Sequence, residues 1–303
     1  MEMSKRAIAI ICAFLVALFY AFNFTAAKEV TPEHIGPYGL TLYRVLITGI
    51  IFWGLSFVFA PRTKMTLKEL AHIALAAFCG VGFNMLTFMK GLSLTSPISA
   101  AVLMVTTPIL VLVLSAIFLK EKLFGIRILG ILIGFSGATF LILQSTGIGA
   151  DASNPTLGNF LIFVNALSYA FYIILAKKLT QKYHVLILLR WLYFFGVLFI
   201  LPFGYNEIVA FDLSSASWET LMFIGYVIVF ATLGTYGLNI IAIKNLKPSV
   251  VAVFVYLQPL LATIIAVSLD KDTITWQKIA AGIMIFSGVF LSSLKQKQKI
   301  RTT

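Results

Sequence analysis

Residues 97–137 read PISAAVLMVTTPILVLVLSAIFLKEKLFGIRILGILIGFSG, and residues 248–288 read PSVVAVFVYLQPLLATIIAVSLDKDTITWQKIAAGIMIFSG. In both stretches a second proline follows the first after 11 residues, an acid preceded by lysine follows after 13 more, and Phe-Ser-Gly begins 14 residues beyond the acid. These landmarks are Pro97, Pro108, Lys120-Glu121 and residues 135–137 in the first stretch, and Pro248, Pro259, Lys271-Asp272 and residues 286–288 in the second. A single match can arise by chance, but four at one offset of 151 residues indicate an internal repeat.

The composition places this repeat in a membrane. The chain has 303 residues, of which 60% are hydrophobic and 11% charged, whereas soluble domains are about 45–50% apolar and about 25% charged. Apolar runs of roughly 20 residues predict membrane helices rather than the strands of a β-barrel, and exclude cytosolic enzymes and DNA-binding modules. We predict an all-α integral membrane protein with ten transmembrane helices. They lie at about 6–27, 38–60, 70–90, 97–119, 123–143, 158–178, 184–204, 218–243, 249–269 and 275–294.

The net charge of +12 fixes the predicted topology. The basic residues are grouped between the apolar runs, which is typical of membrane orientation and not of nucleic-acid binding. With the N-terminus inside, 17 Lys and Arg fall on the cytoplasmic side and 4 on the other, and two fall within spans. The bias predicts that both termini are cytoplasmic.

The repeat and the topology together predict inverted halves. Residues 1–146 and 147–303 each hold five predicted helices, so the second half enters the membrane from the opposite side. A match between residues 17–22 (ALFYAF) and 166–171 (ALSYAF) extends the repeat to the first helix of each half. Many secondary transporters use inverted repeats around a central cavity, with the substrate site at the repeat interface.

Polar residues on single helical faces mark the candidate binding site, because unpaired polar groups are costly in hydrocarbon and turn toward protein or a wet cavity. Two four-residue stripes follow i, i+3, i+4, i+7 spacing, one from Asn165 to Tyr172 and one from Thr232 to Asn239. Hydrogen bonding between helices is the alternative interpretation. The predicted substrate-binding residues are Tyr20, Asn23, Asn84, Thr87, Asn165, Tyr169, Tyr236, Asn239, Tyr256 and Gln258.

Charged residues and prolines add to this prediction. Arg44 and Arg190 each lie about six residues inside the second helix of a repeat. They either extend to the interface or contact a substrate carboxylate at the cavity mouths. None of the 11 acids lies in the middle of a span, which favours facilitated efflux or exchange over proton coupling through a buried carboxylate. Pro108 and Pro259 predict bends that let the fourth and ninth helices gate.

Glycines mark the fifth and tenth helices, at positions 125, 130, 134 and 137 and at 282 and 288. Small residues at such spacing permit close helix packing. We interpret these two helices as a scaffold, and a homodimer through them is a further hypothesis.

This set of features resembles the drug/metabolite transporter superfamily and, within it, the EamA-like branch of bacterial exporters. The motifs that carry the resemblance run from Pro108 through Glu121 to Gly137 and from Pro259 through Asp272 to Gly288, and the resemblance covers essentially the whole chain. It implies a bacterial inner-membrane protein that moves amino acids or related metabolites outward, through a cavity lined by helices 1, 3, 4, 6, 8 and 9. Family members often carry Trp in the first helix, where this chain has Phe19-Tyr20.

The predicted function is therefore secondary transport of small polar or amphipathic metabolites by alternating access. The alternative is an integral-membrane enzyme acting on lipid or isoprenoid-linked substrates, which would need convergent acids, histidines or a metal set. No Ser/His/Asp, HExxH or phosphate-loop pattern occurs in the sequence. We expect no cofactor, no metal and no nucleic-acid partner; the expected partners are a small-molecule substrate and the lipid bilayer.

Overall fold

The computed structural model describes residues 4–30, 34–94, 103–121, 124–143, 154–212, 216–268 and 275–294. Within these ranges the chain is helical and contains no strand. Pro97, Asp272 and the predicted boundary at 146/147 lie outside them.

The helical segments follow the apolar runs of the sequence. They are α1 (Lys5–Val30), α2 (Pro37–Phe59), α3 (Leu67–Ala77 and Phe83–Leu94), α4 (Thr107–Leu119), α5 (Gly125–Leu143), α6 (Pro155–Lys182), α7 (Val185–Val209), α8 (Trp218–Ile228 and Thr235–Asn245), α9 (Pro248–Val253 and Leu257–Ser268) and α10 (Trp276–Ser293). Six of them, α1, α2, α3, α6, α7 and α8, are long and apolar enough to cross a membrane. The other four contain shorter apolar helices within the described residues.

Local sequence signals start several of these helices. Pro37, Pro155 and Pro248 occupy the first turn, where the missing N–H of proline costs nothing. Thr66 and Glu69 form a reciprocal capping box at the start of α3. Ser217 caps α8 by accepting a hydrogen bond from the backbone N–H of Thr220 at 3.1 Å.

Two π-helical turns interrupt the long helices, and the sequence analysis did not predict them. Phe78–Gly82 joins the two parts of α3, and Val229–Gly234 joins the two parts of α8. A π turn inserts one extra residue and leaves carbonyls that need other donors. In α3 the carbonyl of Cys79 accepts from Ser168 Oγ at 2.8 Å, and the carbonyl of Gly80 accepts from the Tyr236 hydroxyl at 2.8 Å.

The helices pack in a small number of extensive pairs. α5 packs along α10 and α2 along α7, while α3 and α4 pack on α6 and both α8 and α9 pack on α1. The α5–α10 contact is closest at Gly288, where an added Cβ would lie 2.5 Å from the backbone nitrogen of Gly134. Gly130, Gly137 and Gly288 therefore bring these two helices together within one chain.

Candidate substrate-binding cavity

A narrow cavity lies between α1, α6, α8 and α9. Its polar lining consists of Tyr20, Tyr169, Asn239 and Gln258, and its apolar lining of alanines, valines and Phe254. All four polar residues are among those predicted from the sequence. The cavity volume is about 20 Å³, which is the room that a single water needs, so a metabolite enters only if the helices move apart.

A hydrogen bond at the cavity joins two helices of the second half of the chain. The side-chain amide of Asn239, on α8, donates to the Tyr169 hydroxyl, on α6, at 3.0 Å. Tyr20, on α1 of the first half, lines the same cavity. Gln258 follows the 3₁₀-helical turn Phe254–Tyr256, which interrupts α9. The polar groups of α1, α6, α8 and α9 thus converge on one point.

Further tyrosines surround this cavity. The rings of Tyr169 and Tyr172 lie 5.8 Å apart between centroids, and those of Tyr193 and Tyr236 meet edge to face at 5.3 Å. Tyr172 and Tyr193 are fully buried, and their hydroxyls have no hydrogen-bond partner among the described residues. Tyr193 is not among the predicted site residues, because the leucines and phenylalanines around it in α7 form no polar stripe with it.

The two span arginines differ in their surroundings. Arg44 donates from Nη2 to the sulfur of Met85 at 3.2 Å. Arg190 donates from Nη1 to Ser56 Oγ at 3.0 Å, and its guanidinium lies over the ring of Trp53, 5.1 Å from the centroid.

Other predicted site residues hold helices together. Asn84 and Asn165 bond reciprocally, each side-chain amide donating to the other's backbone carbonyl at 3.1 and 2.6 Å. Thr87 bonds back to the carbonyls of Phe83 and Asn84 in its own helix. These four hydrogen bonds match the alternative interpretation of the stripes, namely hydrogen bonding within and between helices.

The remaining predicted residues do not line the cavity. The ring of Tyr256 packs against Gly134 of α5, where an added Cβ would meet it at 2.5 Å. The Tyr256 hydroxyl and Asn23 Oδ1 are buried without a partner. Pro108 lies in the first turn of α4, and Pro259 lies in the second part of α9.

A second polar cluster lies at the end of α4 and the start of α9, and its residues belong to neither of the polar stripes seen in the sequence. Glu121 Oε1 accepts from Arg127 Nη1 at 2.5 Å and from Ser249 Oγ at 2.7 Å. The Glu121 and Arg127 side chains are only 5% and 6% exposed. Lys120, which precedes the acid, caps α4 with a left-handed conformation at φ 51°. The cluster ties the α4–α5 junction to α9.

A surface pocket of about 400 Å³ lies beside the start of α3 and the end of α6, lined by charged groups that include Lys68, Lys178 and the ion pair of Lys182 with Glu69. It lies at helix ends among charged side chains, whereas the narrow cavity lies between apolar helices. Among the described residues, no three His, Cys, Asp or Glu side chains lie close enough to hold a metal ion.

A multi-pass helical protein whose apolar helices enclose a convergent polar cavity has the architecture of a membrane transporter. Comparison with known proteins gives the particular family. The family model described as the EamA-like transporter family matches the chain twice, over residues 7–143 and 156–294. The chain belongs to this family, which confirms the resemblance found in the sequence and removes the membrane-enzyme alternative.

Two of three relatives that match most of this chain are named as transporters. The chain is 25% identical to "Uncharacterized transporter YetK" of Bacillus subtilis, over 84% of this chain and 78% of that protein. It is 24% identical to an "Uncharacterized transporter" of Archaeoglobus fulgidus over 94% of this chain and 96% of that protein. It is also 24% identical to "WAT1-related protein At3g18200" of Arabidopsis thaliana, over 89% of this chain and 75% of that protein.

A solved crystal structure supports the fold. It superimposes with a TM-score of 0.77 at 16% identity and covers 94% of this chain and 96% of that chain. At this identity the likeness shows a shared fold and nothing of the substrate.

Proposed function

We propose that the protein is a secondary carrier that moves small polar or amphipathic metabolites, such as amino acids, outward by alternating access. The observation that carries the proposal is the convergence of Tyr20, Tyr169, Asn239 and Gln258 on one narrow cavity between the helices. These residues come from α1, α6, α8 and α9, so a ligand bound between them contacts both halves of the chain. Relative motion of the halves would then expose the ligand to either side in turn.

The contacts between helices support ten membrane helices in two inverted repeats, residues 1–146 and 147–303. If α1 to α5 correspond in order to α6 to α10, the contact between α3 and α6 has its counterpart in the contact between α8 and α1. Likewise α4–α6 corresponds to α9–α1, and α3–α7 to α8–α2. The π-helical turns begin at Phe78 and Val229, which are 151 residues apart, the same offset as the sequence landmarks.

The helix irregularities support gating by α4 and α9. Residues 105–106 form a non-helical turn just before Pro108, and the 3₁₀-helical turn of α9 ends three residues before Pro259. Backbone at such breaks lacks the regular i→i−4 hydrogen bonds, which lowers the cost of bending there. We propose that α4 and α9 bend at these points as the cavity opens.

Charge and packing suggest the orientation and assembly. The 17-to-4 distribution of Lys and Arg supports cytoplasmic termini in a bacterial inner membrane. A homodimer through α5 and α10 would use their outward faces, because the glycine faces already contact each other. Those outward faces are apolar and exposed at Leu129, Leu132, Ile283 and Phe290.

Counterflow in proteoliposomes tests the proposal. Vesicles loaded with unlabelled amino acids and small metabolites are presented with labelled pool members, first without an ion gradient and then with an imposed proton gradient. We expect exchange of one compound class without a gradient, reduced by Asn239→Ala and Tyr169→Phe. Tyr226→Phe is the matched control, because its hydroxyl bonds to the carbonyl of Phe19 outside the cavity lining. Absence of exchange under both conditions would refute carrier function for this pool.

The variants test the site separately. If both cavity variants exchanged label with wild-type apparent affinity, the site assignment would be wrong although the protein remained a carrier.

A further inference from the structure

The surface pocket between the start of α3 and the end of α6, called the basic pocket below, carries more positive than negative charge. Its lining includes the ammonium groups of Lys68, Lys178 and Lys182, the carboxylate of Glu69 and the imidazole of His72. Three positive charges therefore face one negative charge. The pocket volume of about 400 Å³ falls within the range of about 300–1,000 Å³ that is usual for small-molecule sites.

The two lysines of α6 are arranged unfavourably unless an anion lies between them. Lys178 and Lys182 are four residues apart on one helix, where like charges repel each other. Lys182 is held by its ion pair with Glu69 and by the ring of Tyr183, whose centroid lies 5.2 Å from Nζ. An ammonium has three N–H donors, so Lys182 can bond to Glu69 and to a second anion at the same time.

The exposed face of α3 changes from polar to apolar along the helix. Lys68, His72 and Leu75 follow i, i+4, i+7 spacing and are all exposed. His72 Nδ1 bonds to the carbonyl of Lys68 at 2.7 Å, which holds the imidazole at the pocket. Beyond it, Leu75 is 50% and Phe78 40% exposed. A polar group bound in the pocket would thus lie next to an apolar surface that continues along the helix.

The basic pocket lies where membrane-length helices end. The apolar segment Leu67–Leu92 begins at the pocket, Thr156–Lys182 ends there, and Val185–Val209 begins just beyond it. The ends of such segments lie at the level of the lipid headgroups. Basic pockets between membrane helices at this level bind the headgroups of anionic lipids.

We propose that the basic pocket binds the phosphate headgroup of an anionic phospholipid, with Lys68, Lys178 and Lys182 as the phosphate contacts and Leu75 beside an acyl chain. The excess of positive charge favours an anionic headgroup over a zwitterionic one, whose own cation the lysines repel. This site is separate from the narrow cavity and does not depend on the proposed carrier function.

Lipid titration of the purified protein tests the proposal. The protein in a mild detergent is titrated with dioleoylphosphatidylglycerol or with dioleoylphosphatidylcholine, and bound lipid is counted by native mass spectrometry. We expect the anionic lipid to bind about tenfold or more tightly than the zwitterionic one. The double variant Lys68→Gln, Lys178→Gln should weaken binding of the anionic lipid about 20-fold, since each lysine near a lipid surface contributes about fivefold.

A matched double variant controls for net charge. Lys5 and Lys244 are exposed lysines at other helix ends and do not line the pocket. Lys5→Gln with Lys244→Gln removes the same total charge and should leave binding of the anionic lipid unchanged. All proteins are compared as monodisperse material from size-exclusion chromatography.

Protection from chemical labelling locates the lipid in the wild-type protein. Reductive methylation of lysines is followed by peptide mass spectrometry with dioleoylphosphatidylglycerol, with dioleoylphosphatidylcholine or with inorganic phosphate. We expect the anionic lipid to slow the labelling of Lys68 and Lys178 several-fold and to leave Lys5 and Lys244 unaffected.

Three outcomes would overturn the proposal. Equal binding of the two lipids would show that the pocket does not recognise headgroup charge. Equal effects of the two double variants would show that the anionic lipid binds elsewhere. If inorganic phosphate protected Lys68 and Lys178 as well as the anionic lipid does, the pocket would be a site for a soluble anion and not for a lipid.

Discussion

Glu121 is the residue whose replacement should cost the most stability. Its Oε1 atom accepts hydrogen bonds from Arg127 at 2.5 Å and from Ser249 at 2.7 Å. The two charged side chains are 5% and 6% exposed, so solvent screens their interaction little. Glu121→Gln leaves Arg127 buried without its counter-charge, and breaking a buried pair in this way costs about 3–5 kcal/mol of unfolding free energy.

A double variant separates the loss of the pair from the isolation of one charge. Glu121→Gln combined with Arg127→Met removes both charges, and buried pairs replaced by apolar groups are often close to neutral. We therefore expect the double variant to recover most of the loss. Lys182→Met is the control. It breaks an ion pair with Glu69 at the surface, where the Lys182 side chain is 62% exposed. It should leave unfolding unchanged.

The assay is unfolding of the purified protein in mixed micelles of increasing SDS fraction, followed by the fluorescence of its four tryptophans. The free energy is compared at a common detergent composition. The reasoning would be refuted if Glu121→Gln unfolded like Lys182→Met. It would also fail if the double variant were no more stable than the single one, since the isolated charge would then not explain the loss.

The same unfolding assay tests two other features. Gly288→Ala should destabilise the protein by about 1–3 kcal/mol, because its Cβ would meet the backbone of Gly134 at 2.5 Å. Gly237 is a helical glycine with nothing within 4 Å of an added Cβ, so Gly237→Ala should instead raise stability by up to about 1 kcal/mol. Equal losses of stability at both sites would contradict the close α5–α10 contact. Tyr172→Phe should raise stability by about 1 kcal/mol in the absence of substrate, because the hydroxyl it removes is buried and unbonded; a loss of stability would show that this hydroxyl has a partner.

The sequence predicts the six membrane-length helices of the described residues because their signal is composition over long windows. It also predicts the cavity lining at Tyr20, Tyr169, Asn239 and Gln258, all of which the structure brings together. The polar ends of large amphipathic side chains are costly to expose to lipid, so within apolar spans these side chains face a space between helices. Both signals are local properties of one helix.

What the sequence cannot predict is which neighbour an inward-facing group meets. Asn165 shares its stripe with Tyr169, yet its amide bonds to the backbone of Asn84 and not to a cavity group. The periodicity that identifies a helical face also assumes a regular helix. The π-helical turn Val229–Gly234 adds a residue within the α8 stripe and alters that periodicity.

The distribution of regular and irregular helices suggests where the proposed alternating access would move. α5 and α10 are regular within their described bounds and meet backbone to backbone at Gly130, Gly134 and Gly288. Such a contact has no flexible side chains that could adjust to sliding. The irregular turns lie instead in α3, α8 and α9, and α8 and α9 supply Asn239 and Gln258 to the cavity. We therefore expect α5 and α10 to stay fixed while α3, α4, α8 and α9 rearrange around the substrate.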